Sequence, residues 1–248
     1  MSAARPSTAI EVEHWAAWAP GLETQEAWAT WLADPRALPA LGEGAAAQPP
    51  LAELPAMMRR RIDPLGRIAL QSAYAAQQDQ PIDAAVFASR WGELERSETL
   101  LGQLAANEPL SPTSFSLSVH NAIAALYSIA RKDTGNFSAV SAGAYSTEAG
   151  FIEALGLFAD GAQRVLLVSY DAPATPLYRP YEAAGESCQF PHAFALLLTR
   201  PEHGGIRLQR GGEAPIDERL SPSLRALRFL ADAGAATLTH GGWTWSRA

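Results

Sequence analysis

Few side chains in this sequence could carry chemistry, and the most suggestive setting for one lacks it. The segment VSAGAYSTEAG, residues 140–150, leaves a short β-prone run, bends through small residues and enters a helix. A strand-to-helix elbow of this kind commonly presents a Cys or Ser nucleophile at its tip, where the helix N-terminus favours developing negative charge. Here the bend is Gly143, Ala144 and Tyr145, and neither glycine nor alanine can attack an electrophile. Ser141 and Ser146 flank it, but G-x-S-x-G is absent, because Ala144, Tyr145 and Ser146 follow Gly143. Ser146, with Thr147 and Glu148 behind it, is expected to cap the helix rather than react.

The remaining candidates are weaker. The histidines are His14, His120, His192, His203 and His240; none pairs with another at metal-ligand spacing, and one cysteine cannot begin a thiolate cluster. No metal site is expected. His120, beside Asn121 at an apolar helix start, and His192, before an apolar strand, read as packed, hydrogen-bonded residues. His203 and His240 neighbour glycines and are expected in loops. Cys188, in GESCQFPH, sits in a loop without an evident basic activator and reads as inert. GGEAP and HGGIR lack the spacing of a nucleotide-binding loop. The run MMRRRIDPLGR could meet a phosphate, and the bland alternative is a solvated helix start.

The elements that must position these residues follow from bulk and pattern. The chain has 248 residues, is 48% hydrophobic and carries a net charge of −7. That suits a sizeable core and argues against general nucleic-acid binding. A lone cysteine, no unbroken apolar leader and no membrane-length apolar run set the expectation of a cytoplasmic protein.

TAIEVEHWAAWAP alternates like a strand. TQEAWATWLAD reads as a helix with Thr24 as N-cap and Trp28, Trp31 and Leu32 on one face. Residues 34–56 are Pro-rich and expected as a loop. PLGRIALQSAYAAQQ places Pro64 in a first helical turn with Leu65, Ile68, Ala69, Ala73 and Ala76 as its stripe. DAAVFASRWG reads as a buried strand, ELERSETLLGQLAANEP as a helix, and a further helix is expected from Leu117 to Arg131. Then come a strand at Phe137–Ser141, a helix at Ser146–Asp160, the strands QRVLLVSYD and AFALLLTR, a hairpin-like PEHGGIRLQRGG, and a last helix in SPSLRALRFLADAG. Strands alternating with helices, several of them continuously apolar, imply α/β layering around a covered sheet.

The segment from Ser111 to Asp171, SPTSFSLSVHNAIAALYSIARKDTGNFSAVSAGAYSTEAGFIEALGLFADGAQRVLLVSYD, resembles the N-terminal half of β-ketoacyl synthases. The likeness covers at least residues 84–200, and RRRIDPLGRIAL and AFALLLTR share it. It implies a thiolase-like half-fold, α-β-α layers around a mixed sheet, forming a single domain over 1–248 with 201–248 as a divergent C-terminal extension. Aligning Gly161 and the VLLV strand puts Val140 and Ser141 on the family's V-S and Ala144 on its nucleophilic Cys. The residues after Thr199 are too few for the second half, which supplies the family's catalytic histidines, so no catalytic role passes to His203 or His240.

Such a short, Cys-less form is similar to chain-length-factor-like proteins of bacterial aryl-polyene and xanthomonadin-type pigment clusters. The resemblance implies a non-catalytic subunit paired with a Cys-bearing synthase, with an acyl carrier protein bringing its phosphopantetheine arm, and no cofactor of its own. Gly143, Ala144 and Tyr145 would line a vestigial site. Phe137, Ser138, Ala139, Val140 and Ser141, with Phe115 and Leu117, would form the dimer interface, and the same strand would let the chain self-associate when made alone. Two other readings remain open: a Ser-dependent acyl hydrolase or transferase using Ser141 or Ser146, and a homodimeric acyl-binding scaffold.

Overall fold

The computed structural model describes residues 9–35, 48–183, 185–215, 219–232 and 234–247. The order begins with β1 (Ala9–Trp18), α1 (Gln25–Ala33), a single helical turn α2 (Ala56–Arg59) and α3 (Pro64–Gln77). It continues through β2 (Ala84–Ala88), α4 (Leu94–Ala105), α5 (Pro112–Ser116), α6 (Ala122–Arg131) and β3 (Asn136–Val140). α7 (Ser146–Ala159), β4 (Arg164–Asp171), β5 (His192–Thr199) and β6 (Ile206–Arg210) follow, and α8 (Pro222–Ala231), β7 (Thr237–His240) and β8 (Trp243–Arg247) close the chain.

The strands join in one mixed, eight-stranded sheet, ordered β3-β2-β4-β5-β1-β6-β8-β7. β2 pairs in parallel with β3 and β4, and every other pairing is antiparallel. Because side chains alternate across a strand, the central strands feed two cores. Leu166, Val168 and Tyr170 of β4 and Ala193, Ala195 and Leu197 of β5 meet α3 and α6 on one face. Val165 and Leu167 with Phe194, Leu196 and Leu198 meet α1, α7 and α8 on the other. The result is the α-β-α layering of a thiolase-like fold.

Local signals account for most boundaries. Thr24 caps α1 by accepting from Ala27 N at 3.2 Å. Proline opens α3, α5 and α8, where its missing N–H is harmless.

The sheet is less simple at its ends. The stretch after β5 is not a hairpin: β1 lies between β5 and β6, and Ala9 and Ile10 pair with Arg207 and Ile206. The helix expected from Leu117 begins only at Ala122. Ser111 and Pro112 start the separate turn α5 instead, and a hydrogen bond of 3.0 Å from the His120 ring to Ser89 O fixes the junction. β3 ends at Val140, because the Ser141 hydroxyl turns to donate to Arg90 O at 2.9 Å. Of the Pro-rich loop, residues 36–47 lie outside the described residues. Residues 201–247 are integrated into the same sheet through β6, β7 and β8.

α7 lies close on the sheet because Gly150 has no side chain. A Cβ there would stand 2.7 Å from Leu167 Cδ1 and 3.0 Å from Ala88 Cβ, whereas one at Gly156 would meet nothing within 4 Å. The Ala88 Cβ cannot yield without moving β2. Gly150→Ala is therefore expected to destabilise the fold by about 1–3 kcal/mol. Gly156→Ala, on the same helix, should stabilise it by about 0.5–1 kcal/mol; urea denaturation of the pair checks both signs.

Candidate functional site

The elbow joins the edge strand β3 to the close-packed helix α7. Gly143 turns it with φ of +60°, a conformation that side chains disfavour. Ser146 is not the cap. Tyr145 occupies that position without a side-chain bond, and Ser146 is the first helical residue. Its hydroxyl donates to Gly143 O at 2.7 Å and accepts from Ala142 N at 3.0 Å, so it closes the turn from beneath. Ser141, Ala142 and Gly143 are exposed, and Ala144 and Tyr145 half-buried. At the tip the half-buried Ala144 presents only a methyl group.

Beneath the tip, polar groups of α7 are buried and paired. The Thr147 hydroxyl meets that of Ser169 at 2.7 Å. Glu148 is fully buried, accepts from Trp245 Nε1 at 3.2 Å and lies 2.8 Å from His240 Nε2. His240 is accordingly not a loop residue. It ends β7, is buried, and stacks edge-on to Tyr145 with ring centroids 5.7 Å apart. Gly241 completes the seat: its φ is +57°, and a Cβ there would collide with the Tyr145 ring. A hairpin about 90 residues downstream therefore backs the elbow. The local sequence shows the acidic residue in the first helical turn but gives no sign of its distant partner.

The other side of the elbow rests on the loop after β2. Ser141 holds Arg90 O, and the Asp171 carboxylate accepts from Arg90 N at 2.9 Å and the Ser89 hydroxyl at 3.3 Å. The Arg90 guanidinium reaches Glu182 at 3.4 Å and Glu186 at 3.5 Å. Burial pushes the Asp171 carboxyl up to about 7 against the pull of Arg90. Nearby, burial and the Asp63 carboxyl push Glu93 up to about 8. Neither acid stands out in the sequence, since their burial depends on strand ends distant along the chain.

The remaining candidates have structural roles. Cys188 donates to Phe190 O at 3.0 Å and lies 3.6 Å from His192 Nδ1, so a basic neighbour does exist. Burial silences the pair, pushing the thiol well above its usual value and the imidazole down to about 4. His192 Nε2 is 2.9 Å from the Ser223 hydroxyl and joins β5 to α8. In the basic run, Arg59 donates to Pro50 O and Leu51 O, and Arg67 to Arg59 O and Ile62 O. These guanidiniums fasten the backbone before α3, leaving Arg60 and Arg61 exposed. Among the described residues, no group of three His, Cys, Asp or Glu side chains could hold a metal ion, and no helix is long and apolar enough to cross a membrane.

Comparison with known proteins follows the same lines. The family model described as the N-terminal domain of β-ketoacyl synthase matches residues 28–246. A chain of the ketosynthase ApeO in complex with its chain length factor ApeC, from Xenorhabdus doucetiae, is 33% identical with a TM-score of 0.79. The match covers 96% of this chain and 99% of that one. The ishigamide ketosynthase/chain length factor matches 82% of this chain and 67% of its own at 16% identity and a TM-score of 0.63. A β-ketoacyl synthase from Burkholderia phymatum STM815 matches 83% and 65% at 15% identity and a TM-score of 0.60. At that identity these two share the fold alone. No curated protein matches.

The raised carboxyls make stability depend on pH. Asp171 holds its proton to about pH 7 when folded but only to its usual 3.8 when unfolded. The folded state therefore binds more protons between those values, and stability falls as pH rises through that window. Asp171→Asn should flatten the fall up to pH 7, and Glu93→Gln the part that extends to about 8. Urea unfolding at stepped pH measures both.

Proposed function

The chain belongs to the family of β-ketoacyl synthase N-terminal domains, and on that premise we propose that it is a non-catalytic, chain-length-factor-type subunit. It pairs with a Cys-bearing ketosynthase in polyketide or fatty-acid-type chain extension, of the kind that makes aryl polyene pigments. The observation that supports this reading is an elbow whose bend, positive-φ glycine and buried supports are in place while its tip carries Ala144, which the family resemblance aligns with the synthase cysteine. A condensing site needs a nucleophile and groups that stabilise an enolate, and the partner supplies both. An acyl carrier protein delivers the chain on its phosphopantetheine arm, and the setting is the cytoplasm. The match to a chain of similar length in a ketosynthase–chain length factor complex supports the pairing.

The surface suits such a partner. β3 is the terminal strand of the sheet, bonded to β2 on one side, and its residues Phe137, Ser138, Ala139 and Val140 are half-buried. An uncovered edge of this kind is a template for pairing. Phe115 of α5 is 61% exposed and Ile129 of α6 65%, large apolar side chains that water accommodates poorly. Leu117 and Ser141 border the same elements. Self-association of the isolated chain through this edge is compatible with the reading.

The hydrolase alternative lacks its base. The Ser141 and Ser146 hydroxyls donate to main-chain carbonyls, and no histidine of the described residues hydrogen-bonds either one.

Co-expression with a Cys-bearing ketosynthase from the same genome, followed by native mass determination, tests the proposal. A 1:1 complex is expected, with chain extension that requires both chains and is abolished by replacing the partner's cysteine. Ser141→Ala should lower that activity far less than loss of the partner's cysteine does. Phe115→Asp should keep the fold and weaken the pair by roughly tenfold or more, the loss typical of an interface anchor. A synthase that extends chains equally well alone would overturn the reading.

A further inference from the structure

The sheet has a gap along β1. β6 pairs with that strand only at Ala9 and Ile10, and a turn in which Ala19 and Leu22 bond each other closes its far end. β5 covers the opposite side from Glu11 to Trp18. Between Ile10 and Ala19, no second strand lies against β1 among the described residues. The ladder shows which groups are left over. Ser89 N bonds Val140 O, so alternate residues of β2, β4 and β5 face successive neighbours. Trp15 and Ala17 of β1 therefore turn their main-chain N–H and C=O away from β5 and into the gap.

A groove of about 670 Å³ follows the gap. It is lined by residues 13–18 of β1, by Gln71 and Ala75 of α3, and by Pro50 and Glu23. The Pro50 wall is fixed in advance: Gln71 Oε1 accepts from Leu51 N at 3.0 Å, and Pro50 O accepts from Arg59 at 3.2 Å. Glu13 and Glu23 are the charged side chains of the lining, and no Lys or Arg of the described residues joins them. Arg164, which holds Glu13 at 2.9 Å, lies outside it.

We propose that this gap takes in a short, extended segment of another polypeptide with Lys or Arg at its ends. From Val12 to Ala17 the strand spans about 17 Å at about 3.4 Å per residue, room for a segment of about five residues. An open strand edge is a template for such an addition; main-chain bonds to Trp15 and Ala17 hold the segment, and the rim selects its charge. A second copy of this chain would bring the same two acids against Glu13 and Glu23, and like charges facing each other across strands are destabilising. β1 is separated from β3 by β2, β4 and β5, so the inference does not rest on the pairing proposed above.

Fluorescence anisotropy with a labelled heptapeptide of alternating valine and threonine, with lysine at each end, tests this on the full chain and on the co-expressed pair. Saturable 1:1 binding is expected. The same peptide ending in glutamates should bind at least about tenfold more weakly, because like charges then meet at the rim. Methylation of its valine and threonine nitrogens should abolish binding, since the main-chain bonds are lost. Ala75→Trp should fill the groove, and Ala17→Pro should remove an N–H that faces the gap but no bond to β5. Each should weaken binding at least about tenfold while circular dichroism shows the fold retained. Equal or tighter binding of the acidic peptide, binding that survives methylation or both substitutions, or no binding would each overturn the proposal. So would self-association of the chain that Ala75→Trp abolishes, which would assign the gap to a second copy. None of these results bears on whether the chain pairs with a synthase.

Discussion

A carboxyl placed in the first turn of a buried helix cannot be left without partners. Glu148 is in that position, and an unpartnered charge there would be expensive enough to undo the packing around it. Its partners are His240 and Trp245, from the two strands of the terminal hairpin. That pairing draws β7 and β8 over α7, puts Trp245 against Phe151 at 4.8 Å, and seats Tyr145 on the glycine turn that follows His240. The elbow leans on residues about ninety positions further along the chain, through one acid. The site and the far end of the sheet are one assembly.

This dependence explains what the sequence could and could not reveal. Where the cause is local, the reading holds: Thr24 caps α1, Pro64 opens α3, and the apolar runs of β4 and β5 lie at the centre of the sheet with both faces covered. Where the cause is distant, it fails. Ser146 looks like a cap because its neighbours are right, but the turn before it needs its hydroxyl more. His240 looks like a loop residue because glycines follow it, and nothing nearby announces a buried carboxyl on another element. The Gly-rich stretch after β5 looks like a hairpin because the strand that separates its two sides was made nearly two hundred residues earlier. That the bend carries Gly143, Ala144 and Tyr145, with neither Cys nor Ser among them, is by contrast legible at once, since it needs no distant partner.

The loop from Ser89 to Glu93 ties the elbow to the far ends of β2 and β4. One end accepts the elbow through Ser141 and steadies His120, and the other carries the buried Glu93. Arg90 gathers Glu182 and Glu186 beside it, so the segment between β4 and β5 is fastened to the same loop.

The position of β1 sets the order in which this molecule can be built. β1 lies inside the sheet, and Trp18 and Glu11 find their partners at Ala193 and Thr199. During synthesis on the ribosome β1 must wait, with Ile10, Trp15 and Trp18 uncovered, until β5, more than 170 residues later in sequence, has followed it. Contacts of such long range close slowly and leave apolar segments open to wrong pairing. The topology thus leaves β1 without its neighbour until β5 has been made, however early its own residues are available.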